Sequence, residues 1–301
     1  MLDQPLAGSS AITLFDFDGG VSRQSRLMTR LGDRLRRVDL TDYARSARLW
    51  SSPGLFGAIE QRYFRDTPAG LAFLGSGDFH HFSLPLLART DSPFTLVLFD
   101  NHPDWMRPPH RYHCGSWIFS AARLPQVSRI VIIGLESGDL TGKSFRNGDL
   151  ESYFNGKIQL LPTKAITAFG PEGPLKLPAC MADGESAAIE KILETISEGE
   201  VYISLDKDCL REEDAWTNWE QGTLSLSFVL RTIDAIGQRH RIIGADTVGD
   251  ASPPRFHSPL KWLGSVIDRP RQSTGFKVDQ AGMARNESAN LALVSCLDRY
   301  L

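Results

Sequence analysis

The chain has 301 residues, 42% of them apolar, with a formal charge of -3 from 33 basic and 36 acidic side chains. That length suits one domain over 1–301 with a large core, and the near-balanced charge argues against nucleic-acid or acidic-membrane partners. No apolar run nears the roughly 18 residues of a membrane span. Met1-Leu2-Asp3-Gln4-Pro5 lacks the basic start of a signal peptide, and Cys114, Cys180, Cys209 and Cys296 have no paired spacing, so the expected compartment is a reducing cytoplasm.

Ala11 to Phe15 reads as an opening strand that ends in Asp16-Phe17-Asp18-Gly19-Gly20. Asp-x-Asp-Gly after a strand resembles the nucleophile motif of haloacid-dehalogenase-like phosphatases, which would make Asp16 and Asp18 catalytic and Gly244 to Asp250 a late acidic motif. Residues 21–50, rich in Arg and Leu, are expected to be partly helical, and Pro53-Gly54 precedes a second helix over Leu55 to Phe64. The strand Leu71 to Leu74 runs through glycines to His80 and His81, with a short helix over Leu84 to Arg89 behind them.

The run Phe94 to Phe99 delivers Asp100, His102 and Asp104 at every second position. Alternate side chains of an extended backbone face the same way, so the three would converge. Buried acids crowded in this way raise one another's pKa and call for a cation, unless the segment is only a solvated strand-exit loop. The Pro-rich stretch Arg107 to Trp117 is a candidate substrate wall. Ser128 to Gly134, apolar on both faces, reads as a parallel strand; Lys157 to Leu161 is a weaker one, and residues 162–179 a variable connection.

A helix over Glu185 to Ser197, capped by Asp183, leads into the strand Val201 to Leu205, which closes on Asp206 and Asp208. Leu224 to Ile236 reads as helix, His240 to Asp246 as strand, and Ser288 to Leu297 as a last helix capped by Asn286. About seven parallel strands with helices between them make an α/β fold, whose sites lie beyond the carboxyl ends of strands. Strand ends bearing only carboxylate and imidazole suit two divalent ions of the Mn type.

Asp100-Asn101-His102-Pro103-Asp104 matches the Asp-Ala-His-x-Asp motif of the arginase/agmatinase (ureohydrolase) superfamily, and Ser204-Leu205-Asp206-Lys207-Asp208-Cys209-Leu210 its Ser-x-Asp-x-Asp-x-Leu. Gly77-Asp78-Phe79-His80 approximates its Gly-Gly-Asp-His segment, so the chain resembles a divergent member of that superfamily from about residue 70 onward. The resemblance implies a single three-layer α/β/α domain with a mainly parallel sheet. It implies two Mn²⁺, with Zn²⁺ or another divalent ion as the alternative. His80 (preferred to His81), Asp100, Asp104 and Asp206 would hold one, and Asp100, His102, Asp206 and Asp208 the other.

The implied reaction is hydrolysis of a non-peptide C–N bond by metal-activated hydroxide. The partner would be a small molecule with an sp² carbon bonded to nitrogen (amidine, guanidine, formimino compound or amide), and a homo-oligomer is admitted. Asp104 would count among the catalytic groups, with His113 as a proton shuttle of near-neutral pKa. Gly249 stands where arginases carry their guanidinium-reading glutamate; Asp250, one place on, is the nearest substitute. A substrate other than arginine is expected, and the remaining alternative is a metal-binding member without activity.

Overall fold

Eight stretches of the chain pair into one sheet: β1 (Ala11–Asp16), β2 (Leu35–Asp39), β3 (Gly70–Gly75), β4 (Phe94–Phe99), β5 (Val127–Leu135), β6 (Ile158–Pro162), β7 (Glu200–Asp206) and β8 (Arg241–Val248). The computed structural model describes residues 11–108, 110–197, 199–268 and 279–301, so the segment Met1 to Pro5 lies outside the described residues. The strands run in the order β2-β1-β3-β8-β7-β4-β5-β6, every neighbouring pair parallel.

A parallel sheet covered on both faces needs strands that are apolar throughout, and all six residues of β4 are buried. Alternation then sorts them. Leu96 and Leu98 join a core with Phe56, Phe82 and Ile118, whereas Val97 and Phe99 join one with Leu27, Ile192, Phe228 and Leu293. Helices Pro53–Ile59, Ser83–Ala88 and Trp117–Ala121 supply the first face; Ser25–Leu31, Glu185–Thr195, Leu226–Arg239 and Gln280–Leu297 supply the second. The result is the expected three-layer α/β/α arrangement.

Four local expectations are corrected. The sheet has eight strands because Leu35–Asp39, inside the stretch read as partly helical, is an edge strand whose alternation buries only Val38. Residues 162–179 hold an antiparallel hairpin, Ile166–Gly170 with Gly173–Leu177. The helix after Asp183 starts from Gly184, with no side chain capping it. Asn286 caps nothing: the last helix begins at Gln280 under Asp279, and buried Asn286 clasps the backbone of Trp216 through bonds of 2.7 Å to both its N–H and its carbonyl. Among the described residues, no helix is long and apolar enough to cross a membrane.

Candidate metal centre

In register, Leu205 of β7 sits beside Phe99 of β4, so the next residues, Asp206 and Asp100, emerge side by side at the carboxyl edge of the sheet. The turn after β3 brings in the third contributor. His80 Nδ1 lies 3.4 Å from Asp100 Oδ2, 3.3 Å from Asp104 Oδ2 and 3.6 Å from Asp206 Oδ2. His102 Nδ1 lies 2.9 Å from Asp208 Oδ2 and 3.8 Å from Asp100 Oδ1. Among the described residues, His80, Asp100 and Asp104 form one group with the spacing of metal ligands, and Asp100, His102 and Asp208 form another. Asp100 belongs to both.

Backbone bonds brace the acids: His102 N–H donates to Asp100 Oδ1 (2.7 Å), Asn101 N–H to Asp208 Oδ1 (3.1 Å) and Asp208 N–H to Asp206 Oδ1 (3.0 Å). The motif is not extended throughout. Asp104 has φ of +46°, a left-handed conformation uncommon outside glycine, and Trp117 Nε1 holds its Oδ2 at 2.8 Å.

The protons identify what the cluster lacks. Ser204 Oγ donates its one hydrogen to Asp246 Oδ1 (2.8 Å), so at 3.1 Å it accepts from His80 Nε2–H. His80 thus turns Nδ1 toward three carboxylates, and Nδ1 and Asp100 Oδ2 are buried without a hydrogen-bond partner. Burial works against a charged His80, but Asp104 and Asp206 outweigh it and raise its pKa, so without a cation the cluster gathers protons; a divalent cation would take their place and meet each lone pair. The hard oxygen and imidazole donors fit Mn²⁺-type ions. His81 turns away: its Nε2 meets Ser51 Oγ at 3.0 Å, and burial, then His113 and Lys261, hold its pKa well below the imidazole range.

Crowding shows in the acid constants of the metal-free chain. Burial and repulsion from Asp208 push Asp206 up to about 7, and burial with Asp104 and Asp208 raises Asp100 well above the carboxylate range. Burial works against a charged His102, but Asp208 and Asp100 outweigh it and raise its pKa well above 6.5. All three bind protons when folded at pH values where the unfolded chain has released them. Stability of the metal-stripped protein therefore falls as pH rises from about 4 through about 7 and beyond. Chelator-treated protein is expected to melt lower at pH 8 than at pH 6, with added Mn²⁺ raising the melting temperature more at pH 8. An equal rise at both would contradict the crowding.

A cavity of about 210 Å³ opens over the cluster, lined by Asp100, His102, Asp104, Asp206 and Asp208, by His113 on one side and by Trp219 and Glu220 on another. Ser137 and Asp139 complete the rim, and no lysine or arginine lines it among the described residues. Trp219, Glu220, Ser137 and Asp139 carry no motif; only their following β5 or β7, where such sheets place sites, marks them.

His113 departs from expectation in its acidity. Its Nδ1 accepts from Gly115 N–H at 2.9 Å, its ring stacks on Trp50, and burial followed by the nearby Arg111 lowers its pKa to about 4. Asp250 lies outside the cavity lining, buried, with Oδ2 2.9 Å from Lys207 Nζ and Oδ1 accepting from Gln24 Nε2 (2.7 Å) and Asn290 Nδ2 (3.2 Å). At Gly249, φ is +92°, and a Cβ would stand 2.6 Å from Asp206 Oδ1 and 2.7 Å from Lys207 N. No side chain fits there, so the position matched to the arginase glutamate offers only backbone pressed against Asp206.

The phosphatase reading loses its open nucleophile: Asp16 is paired with Arg37 at 2.5 Å and Asp18 with Arg48 at 3.1 Å.

The model of the Arginase family matches residues 71–255. An uncharacterized protein of Thermotoga maritima is 29% identical over 187 residues, which is 62% of this chain; the chain spans about 60% of that relative's length. A hypothetical agmatinase from Burkholderia thailandensis superposes with a TM-score of 0.59 at 16% identity, covering 99% of this chain and 88% of that one. The arginase of Bacillus subtilis gives 0.58 at 14% identity, covering 95% and 98%. These likenesses establish the fold.

Proposed function

Since the chain belongs to the arginase family, we propose that it is a dinuclear manganese hydrolase, one cytoplasmic domain that breaks the C–N bond of a cationic amidine or guanidine other than arginine. The observation that carries this reading is the convergence of His80 Nδ1 and Asp100 Oδ2, both without hydrogen-bond partners, with the carboxylates of Asp104 and Asp206. In this reading His80, Asp100, Asp104 and Asp206 hold one ion, and Asp100, His102, Asp206 and Asp208 the other. The chemistry such ions supply is Lewis-acid activation of water near neutral pH.

The chain's own groups do the positioning. Ser204 fixes the His80 tautomer, and Trp117 holds Asp104 in its strained turn. His113 is neutral at pH 7, with Nδ1 occupied by Gly115 N–H, so it serves as a hydrogen-bond donor through Nε2–H instead of as a charged shuttle.

Asp139 and Glu220 at the rim meet no cation among the described residues, so the mouth favours a positively charged substrate tail over a carboxylate. Replacing both, as Asp139→Asn/Glu220→Gln, is expected to raise KM for a cationic substrate on the order of tenfold with kcat little changed. A fall in kcat at constant KM would show that they act on the reaction itself.

The test of the function is release of urea, ammonia or amine by the manganese-loaded protein from amidines, guanidines, formimino compounds and acylamines. Turnover of a cationic amidine or guanidine, with arginine inert, is expected. Two retained ions with no turnover of any compound would make the protein a metal-binding member without activity.

A further inference from the structure

β1 and β2 end side by side, Asp16 against Asp39, and beyond them opens a second cavity of about 530 Å³ that shares no lining residue with the metal cavity. Five arginines line it, Arg23, Arg37, Arg45, Arg48 and Arg255, against Asp16, Asp18 and Asp42. Asp16 is neutralised by Arg37 and also accepts from Gly19 N–H, while Asp18 accepts from the Ser252 hydroxyl at 2.5 Å and shares buried Arg48, 3.1 Å away, with Asp78, which lies 2.6 Å from the same guanidinium.

The remaining charge is unevenly matched. Arg23 bonds only to carbonyls, Gly19 O at 2.6 Å and Asp18 O at 3.0 Å, which satisfy N–H groups without cancelling the charge. The side chains of Arg45 and Arg255 have neither a hydrogen bond nor an ion pair among the described residues, yet their segments are joined by His257 N–H to Arg45 O at 3.2 Å. Exposed Asp42 and the half-matched Asp18 are two carboxylates against these three guanidinium groups, which leaves positive charge in excess. Convergent planar forks match the geometry of phosphate and carboxylate oxygens.

We propose that this cavity is a binding site for a small oxyanion, a phosphate ester or a polycarboxylate, gripped by Arg23, Arg45 and Arg255. Isothermal titration of the metal-loaded full chain at low ionic strength, with glycerol phosphate in one arm and propane-1,2,3-tricarboxylate in the other, tests it. Saturable binding of either anion is expected, weakened at least tenfold in Arg45→Gln/Arg255→Gln, whose side chains are exposed, and retained in Asp206→Asn. The arm that binds more tightly identifies the class of oxyanion. Absence of saturable binding, or binding unchanged in the double variant, overturns the proposal. So does binding lost only in Asp206→Asn, because the anion would then sit on the metal centre.

Discussion

An Asp206→Ala protein is expected to lose both ions and, with them, hydrolysis by on the order of 10³-fold. Asp206 stands beside Asp100 in the strand register and faces His80 at 3.6 Å, so in the proposed arrangement it touches both metal positions. Removing it leaves neither position with a full set of ligands. A second readout requires no substrate. With chelator present, the variant should melt higher than wild type at pH 8, because one of several mutually repelling buried carboxylates is gone. Mass-spectrometric metal analysis and a chelator melt check both, and a variant that keeps two ions per chain would remove Asp206 from the bridging role.

Asp250→Ala should cost about 3–5 kcal/mol of stability by leaving the buried Lys207 ammonium without its counter-charge. Gln24 and Asn290 would lose their acceptor as well. Lys207→Met/Asp250→Leu, which removes both charges, should recover much of the loss, as expected when a buried ion pair is replaced by apolar side chains. Urea unfolding of the two proteins measures this. Steady-state kinetics of Asp250→Ala alongside the unfolding separate two roles for Asp250: unchanged stability with a selective rise in KM would place it at the substrate after all.

The centre of the sheet was legible because β4 and β7 are apolar on both faces, which admits little besides a buried parallel strand. Their acidic ends were legible for the same reason, since strand geometry carries Asp100 and Asp206 to one edge. β2 was hidden by its arginines: as an edge strand it needs only Val38 inside, and Leu-Arg-Arg-Val-Asp has no strong period. Asn286 misled because Asn before an apolar run has the form of a cap, while a tertiary partner 70 residues away, Trp216, sets its place. The left-handed turn at Asp104 and the pairing of Lys207 with Asp250 depend on contacts between distant segments, which neither composition nor spacing encodes.

Rim residues were the least legible part of the site. Asp139 and Glu220 belong to loops after strands and matter through their position over the cluster, not through any motif. His113 was found by its place in the chain, but its acidity was not, since burial against Trp50 and the proximity of Arg111 appear only once the chain is folded.

The most direct test of the account is anomalous diffraction at the manganese absorption edge from crystals grown with Mn²⁺. Two peaks are predicted, both within about 2.5 Å of carboxylate oxygens of Asp100 and Asp206, with His80 on one and His102 on the other. A map with no peak between those side chains, or with one ion elsewhere in the molecule, would contradict it.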